Sequence, residues 1–142
     1  MPSRQLWRFL VDPRNLNLLT PRELEFEVCS ELPPAIHLGL LIDYRIKIPW
    51  IGRRRWRTEI TEVDPGRRFV DLQLKGPYRS WRHEHQLRAV DERTTEMTDR
   101  IEYRMPFGWV GRLASPLVRR QLRQIFSYRR QALDRIAEQL SC

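Results

Sequence analysis

The pattern of this sequence predicts an α+β fold in which a curved antiparallel sheet wraps around one long C-terminal helix. Three observations lead there. Between Gly39 and Met105 apolar residues recur with a period of two, in short runs separated by Gly, Pro and Asp. After Pro106-Phe107-Gly108 the period becomes helical and stays so to the end of the chain. Five Trp, five Phe and four Tyr in 142 residues supply ring surface for one core and for the lining of a cavity. One domain over residues 1–142 is expected.

The elements follow in order. Leu6, Trp7, Phe9 and Leu10 give residues 4–10 a short amphipathic helix pattern. Residues 12–21 break with Pro and Asn and predict a turn or a second short helix. From Arg22 onward, Leu24, Phe26 and Val28 alternate with Glu23, Glu25 and Glu27, which predicts a half-buried strand ended by Pro33-Pro34. A second strand is expected over 39–48, then a turn over 49–53 containing Gly52. Residues 55–63 set Trp56, Thr58 and Ile60 against Arg57, Glu59 and Thr61. Asp64-Pro65-Gly66 is a turn, 68–75 the next strand, and Gly76-Pro77 closes it. The last two strands, 80–90 and 94–105, join through Asp91-Glu92-Arg93, which completes a six-strand meander. Ser115-Pro116 reads as the N-cap and first residue of the long helix. Leu117, Leu122, Ile125, Phe126, Leu133, Ile136 and Leu140 form its single apolar stripe, to be buried in the concave face of the sheet.

Composition narrows the functional classes. No apolar run approaches the roughly 20 residues of a membrane span, and no signal-peptide pattern opens the chain. Cys29 and Cys142 have neither CxxC nor metal-ligand spacing, so a reduced, cytoplasmic protein without stable membrane insertion is expected. The formal charge of +8 is carried almost entirely by scattered Arg, which argues against nucleic acid as partner. The one dense cluster, Arg53, Arg54, Arg55 and Arg57, falls beside Gly52 at an expected hairpin tip, where it could meet an anionic partner.

The most informative stretch is 69–105. Trp81, His83, His85 and Leu87 share one strand face, while Arg82, Glu84, Gln86 and Arg88 share the solvent face. On the next strand Met97, Asp99, Ile101, Tyr103 and Met105 point inward. A three-residue loop at 91–93 sets His85 opposite Asp99. Phe69, Asp71 and Gln73 compete with Val70, Leu72 and Leu74 for the inner face; if the first set wins, Asp71 lies near His83. Buried carboxylates need partners, and His is a natural one. Three readings stay open: an Asp–His network that fixes strand register, the polar end of a ligand pocket, or an acid/base site using His83 or His85 oriented by Asp99 or Asp71. A metal site on the His-x-His spacing, completed by Asp99 or Asp71, is weak on spacing alone, so no metal and no cofactor is assigned. His37 reads as a surface residue.

Asn15 to Pro21, Asp43-Tyr44, Trp56 to Ile60, Phe69-Val70-Asp71, Gly76-Pro77-Tyr78, Trp81 to His85, Asp99, Tyr103 and Pro106-Phe107-Gly108 together resemble bacterial SRPBCC proteins. These are helix-grip domains of the START, polyketide cyclase and birch-pollen-allergen type. The resemblance covers nearly the whole chain and is most specific in the Gly-Pro-Tyr and Trp-x-His-x-His blocks. It points to a ligand-binding branch sometimes fused to epimerase-like domains. It implies a cavity between sheet and C-terminal helix that takes a small hydrophobic molecule or lipid, with Tyr44, Trp56, Asp71, Trp81, His83, His85, Asp99 and Tyr103 as cavity residues. Catalysis of a cyclase or dehydratase type, with His83, His85 or Asp99 as candidates, is the alternative it allows. The usual first strand of such domains has no counterpart in residues 1–142, so either the true start lies upstream or the sheet has six strands, and in a six-strand sheet the edge of the 94–105 strand is expected to be covered by a loop or by a second copy in a homodimer.

Overall fold

A computed structural model of the chain describes residues 1–49 and 51–141; Trp50, in the expected 49–53 turn, and Cys142 lie outside the described residues. Helix α1 (Ser3–Leu10) buries Leu6 and Leu10. The Asp12 carboxylate then accepts the Arg14 N–H at 3.0 Å and caps a 3₁₀ helix over Pro13–Leu19.

The strand expected from Arg22 is replaced by a second 3₁₀ turn, Arg22–Leu24. Glu25 closes it in the left-handed region, at φ 44° and ψ 46°, with its N–H on the Arg22 carbonyl. A left-handed residue cannot continue an extended ladder. Only Glu27–Val28 (β1) therefore pairs, against Arg45 and Tyr44.

Five longer strands follow: β2 (Leu41–Ile48), β3 (Gly52–Asp64), β4 (Arg68–Lys75), β5 (Ser80–Ala89) and β6 (Thr95–Arg104). They form one six-stranded sheet in sequence order, with every neighbouring pair antiparallel. Register shifts between β3 and β4, near Arg57/Thr58 and Ile60/Glu62, mark bulges. Bulges bend a strand and tighten its twist, which helps make the inner face concave.

Helix α2 spans Gly108–Ser141, so it starts seven residues before the expected Ser115 cap. Phe107 and Gly108, at φ 64° and 54°, turn the chain straight out of β6 into the helix. Pro116 is thus inside α2, where it lacks the N–H that would bond to the Arg112 carbonyl. At 1.5 Å per residue the 34-residue helix is about 51 Å long, against about 33 Å for a ten-residue strand. The sheet cannot cover it all. Ile125, Phe126, Leu133 and Ile136 are half-buried, while Leu117 and Leu140 at the two ends of the stripe are 52% and 49% exposed. The whole stripe is therefore not buried as expected; its middle is half-buried.

The core joins Leu6, Leu10 and Leu19 to Leu40, Ile42, Ile60, Phe69 and Leu87 of the sheet side and to Ala132 of α2. This is the α+β helix-grip arrangement. The outer edge of β6 meets the start of the chain, where the Thr95 hydroxyl donates to the Met1 carbonyl at 2.9 Å. Among the described residues no strand pairs with that edge. Charged side chains at Glu96, Arg100, Glu102 and Arg104 blunt it instead. Among the described residues no helix is long and apolar enough to cross a membrane.

Candidate functional site

Strand β5 buries alternate residues, and Trp81, His83, His85 and Leu87 are the buried set. On β4 the inner positions go to Phe69 and Asp71, both of which reach the cavity. The ladder puts Asp71 across from His83 and Asp99 across from His85. The four polar side chains meet as a closed group. His83 Nε2 lies 2.8 Å from Asp99 Oδ1, and His85 Nε2 lies 2.8 Å from Asp71 Oδ2. Their other ring nitrogens are farther away, His83 Nδ1 3.6 Å from Asp71 Oδ2 and His85 Nδ1 3.2 Å from Asp99 Oδ1. A carboxylate can only accept, so each short contact places the proton on Nε2.

Two further residues complete the group. Arg129 of α2, only 8% exposed, sets Nε 3.3 Å from Asp99 Oδ2 and Nη2 3.3 Å from His85 Nδ1. The Thr58 hydroxyl lies 3.3 Å from Asp71 Oδ1. The sequence reading missed both roles. Arg129 stands one helical turn from Ile125 and from Leu133, so helical spacing alone placed it on the buried stripe.

The electrostatics follow from burial and pairing. Burial alone would raise Asp99, but hydrogen bonds from His83 and His85 and the Arg129 cation hold it well below the usual carboxylate range. Asp71 is likewise lowered, because the His85 hydrogen bond and the charge of both imidazoles outweigh burial. Burial and the neighbouring His85 depress His83, against the pull of Asp99. His85 goes the other way: burial would lower it, and its bonds to Asp71 and Asp99 win. With neutral imidazoles, two carboxylates against one guanidinium leave one negative charge in the group, which one added proton or another cation would offset.

An apolar cavity of about 190 Å³ lies between the sheet and α2. Its wall includes Ile42, Tyr44, Trp56, Ile60, Phe69 and Trp81 from the sheet and Leu122, Ile125 and Phe126 from the helix. Asp71, His83, His85 and Arg129 reach it as a polar patch. The rings are mutually braced: Tyr44 stacks on Trp56 with centroids 5.6 Å apart, Trp56 meets Trp81 edge-on at 5.3 Å, and Phe69 stacks on His85 at 4.1 Å. Burial drives the Tyr44 phenol well above its usual range and pushes Tyr78 up to about 12, so both stay protonated donors. Trp56 Nε1 is buried and has no hydrogen-bond partner among the described residues.

Of the eight expected cavity residues, Tyr44, Trp56, Asp71, Trp81, His83 and His85 line this space. Asp99 does not; it stands behind the histidines, beside a separate cleft between β6 and α2. Tyr103 rests against Tyr78 and Trp81 and lines neither. His37 is exposed, as expected, and so is Cys29. The basic hairpin tip is partly neutralised: Arg53 pairs with Glu25 and Glu27, and Arg57 with Asp43.

Fold and site together define an α+β helix-grip domain with an internal cavity and a buried His–Asp group on its wall. Within that class, residues 55–137 match the family described as a domain of unknown function (DUF8410), and since they make up more than half of the chain, the chain belongs to that family. No curated protein matches. Among solved structures, the chain is similar to protein Ms6760 from Mycobacterium smegmatis, at 16% identity and a TM-score of 0.67 over 98% of this chain and 85% of that one. It is similar to TTHA0849 from Thermus thermophilus at 17% identity and 0.68, over 99% and 92%. A third likeness, at 23% identity and 0.62, covers 94% of this chain but 26% of a nucleoside-diphosphate sugar epimerase from Corynebacterium glutamicum. At these identities the likeness is one of fold.

Proposed function

We propose that this chain binds a small hydrophobic or amphipathic molecule in the cavity between sheet and α2, as the SRPBCC proteins it resembles do. One observation carries the reading. The cavity is walled by apolar and aromatic side chains, among them Trp56, whose indole N–H is buried and has no protein partner among the described residues. A donor left unpaired in a protein interior costs about 1–3 kcal/mol. A ligand oxygen seated against it would recover that cost. The imidazoles and Asp71 would orient a hydroxyl or carbonyl at the other polar point of the wall. The volume exceeds the ~150 Å³ of an apolar cavity known to admit benzene, which favours a ring-sized ligand.

The test is native mass spectrometry of the purified chain, followed by organic extraction of whatever is released. A bound small molecule, absent from an Ile125→Trp variant whose added ring fills the cavity, supports the reading. A ligand-free mass, together with no uptake of an apolar fluorescent probe, counts against it.

The pairing of His83 and His85 with carboxylates at the cavity wall favours a second reading, general acid/base catalysis on the same ligand. His85→Ala separates the two. A carrier stays loaded, whereas an enzyme loses turnover.

A further inference from the structure

The two imidazoles face their carboxylates from both sides at once. Each ring turns one nitrogen toward Asp71 and the other toward Asp99, so four ring nitrogens lie 2.8 to 3.6 Å from carboxylate oxygens. Two neutral imidazoles carry only two N–H groups. Neutral rings therefore leave two nitrogen lone pairs turned toward carboxylate oxygens, and both fall on the Asp71 side when the two N–H groups point to Asp99. A cation on that side removes the conflict.

The geometry points to a divalent transition-metal site, of the Zn²⁺ type, formed by Asp71 Oδ2, His83 Nδ1 and His85 Nε2. These three residues offer donor atoms that all lie within 4.8 Å of one another. The two measured separations to Asp71 Oδ2 are 2.8 Å from His85 and 3.6 Å from His83. They bracket the ~3.3 Å between ligands of a tetrahedral ion with ~2.0 Å bonds.

The opposite side has the form that supports ligating histidines. With the metal-side nitrogens taken up, His83 Nε2–H and His85 Nδ1–H both donate to Asp99 Oδ1, at 2.8 and 3.2 Å. A carboxylate behind a ligating histidine fixes the ring and raises its basicity. Arg129 Nε, 3.3 Å from Asp99 Oδ2, holds that carboxylate from behind. In this state Arg129 gives up its contact with His85 Nδ1 and keeps Asp99. The choice of side is also set by access: Asp71 lines the cavity and Asp99 does not. Three protein ligands then leave the remaining coordination positions open toward the cavity, the arrangement of a reactive rather than a structural metal centre. This site goes beyond the ligand-binding reading and does not depend on it.

The experiment uses the full chain after treatment with a chelator. Zn²⁺ is titrated calorimetrically, and Co²⁺ is added separately as a spectroscopic probe. One equivalent per chain is expected. Asp71→Asn and His85→Gln should each weaken it at least about 100-fold, and Asp99→Asn about 10–100-fold. His37→Gln and Cys29→Ser should leave it unchanged. The native Co²⁺ protein should show two exchangeable, hyperfine-shifted imidazole N–H resonances in its proton NMR spectrum, a readout that survives if a variant fails to fold. Absence of stoichiometric binding at about 100 µM Zn²⁺ overturns the site. So does binding that persists in the Asp71 and His85 variants, or a Co²⁺ spectrum without the two N–H signals.

Discussion

His85 faces Asp99 across the β5–β6 ladder, yet its shorter hydrogen bond, 2.8 Å from Nε2, goes to Asp71 on the other neighbouring strand. His83 does the reverse, facing Asp71 in the ladder and bonding to Asp99 at 2.8 Å. Side chains lean along a strand, which brings diagonal neighbours within reach of long side chains. Each histidine therefore ties β5 to both β4 and β6, and Arg129 adds α2 to the same unit.

That tying predicts an uneven response to charge removal. Asp99→Ala strands the buried Arg129 cation and removes the acceptor for His83, so it should cost about 3–5 kcal/mol. Glu96→Ala, three residues away on the exposed face of β6, should change stability by less than about 0.5 kcal/mol, although Glu96 pairs with Arg88. Urea denaturation of both variants checks the contrast. Equal losses would mean that the buried group contributes no more than a surface pair.

The acid limb of stability should come from the same carboxylates. Asp71 and Asp99 both sit below the ordinary value of 3.8 in the folded chain. A lowered carboxylate contributes stability that is complete above its unfolded pKa and is lost as pH falls through its folded one. The imidazoles oppose each other. Raised His85 adds stability below 6.5 that fades as pH rises through its folded value, and lowered His83 has the opposite sign. With chelator present, stability should thus pass through a maximum near pH 6.5, rising toward it as His83 loses its proton and declining above it as His85 does, and should fall steeply below about pH 4. Asp99→Asn should remove much of that steep limb, and an unchanged slope would assign acid unfolding to other groups.

Much of this site was legible because β5 and β6 alternate: Trp81, His83, His85 and Leu87, and Met97, Asp99, Ile101 and Tyr103, stand between outward residues that are mostly charged. Nothing in that pattern could show the diagonal bonding, which depends on the lean of side chains rather than on register. Strand β4 stayed ambiguous because Val70, Leu72 and Leu74 are apolar too. The structure gives the cavity Phe69 and Asp71, and leaves Leu74 49% exposed. The 22–28 alternation misled because a 3₁₀ turn buries Leu24 as well as a strand would, and Glu25 is not a residue that announces a left-handed conformation. Arg129 was hidden by its chemistry: a charged side chain reads as solvent-facing even when its position lies on the apolar stripe.

Trp56→Phe isolates the unpaired donor. A phenyl ring still faces Tyr44 and Trp81, while Nε1 and the rest of the indole are lost. Without ligand the loss of stability should stay below the usual cost of truncating a buried aromatic ring, about 3 kcal/mol, since the removed N–H had no partner among the described residues. Affinity for the cavity ligand should fall by about 5–30-fold, or about 1–2 kcal/mol. Melting curves with and without the extracted ligand test both halves. A loss above about 3 kcal/mol in the free protein, with affinity unchanged, would show that the indole serves packing instead.

Two substitutions toward the best helix former should act in opposite directions on α2. A Cβ at Gly111 would meet the Pro106 carbonyl oxygen at 2.0 Å and Met105 Cβ at 3.0 Å. Backbone cannot swing aside as a flexible side chain can, so Gly111→Ala should destabilise by about 1–3 kcal/mol despite alanine's higher helix propensity. Pro116→Ala restores a missing N–H donor on the exposed side of the helix and should stabilise the segment before it. The gain should stay local, because Trp109, Leu113 and Leu117 are 72%, 71% and 52% exposed and tie these turns only weakly to the sheet. Amide exchange resolves the two effects: slower exchange over 108–120 in Pro116→Ala with little change at 125–137, and faster exchange over 105–115 in Gly111→Ala. If Gly111→Ala exchanges more slowly there, the contact of α2 with the 105–106 turn is not what sets the start of the helix.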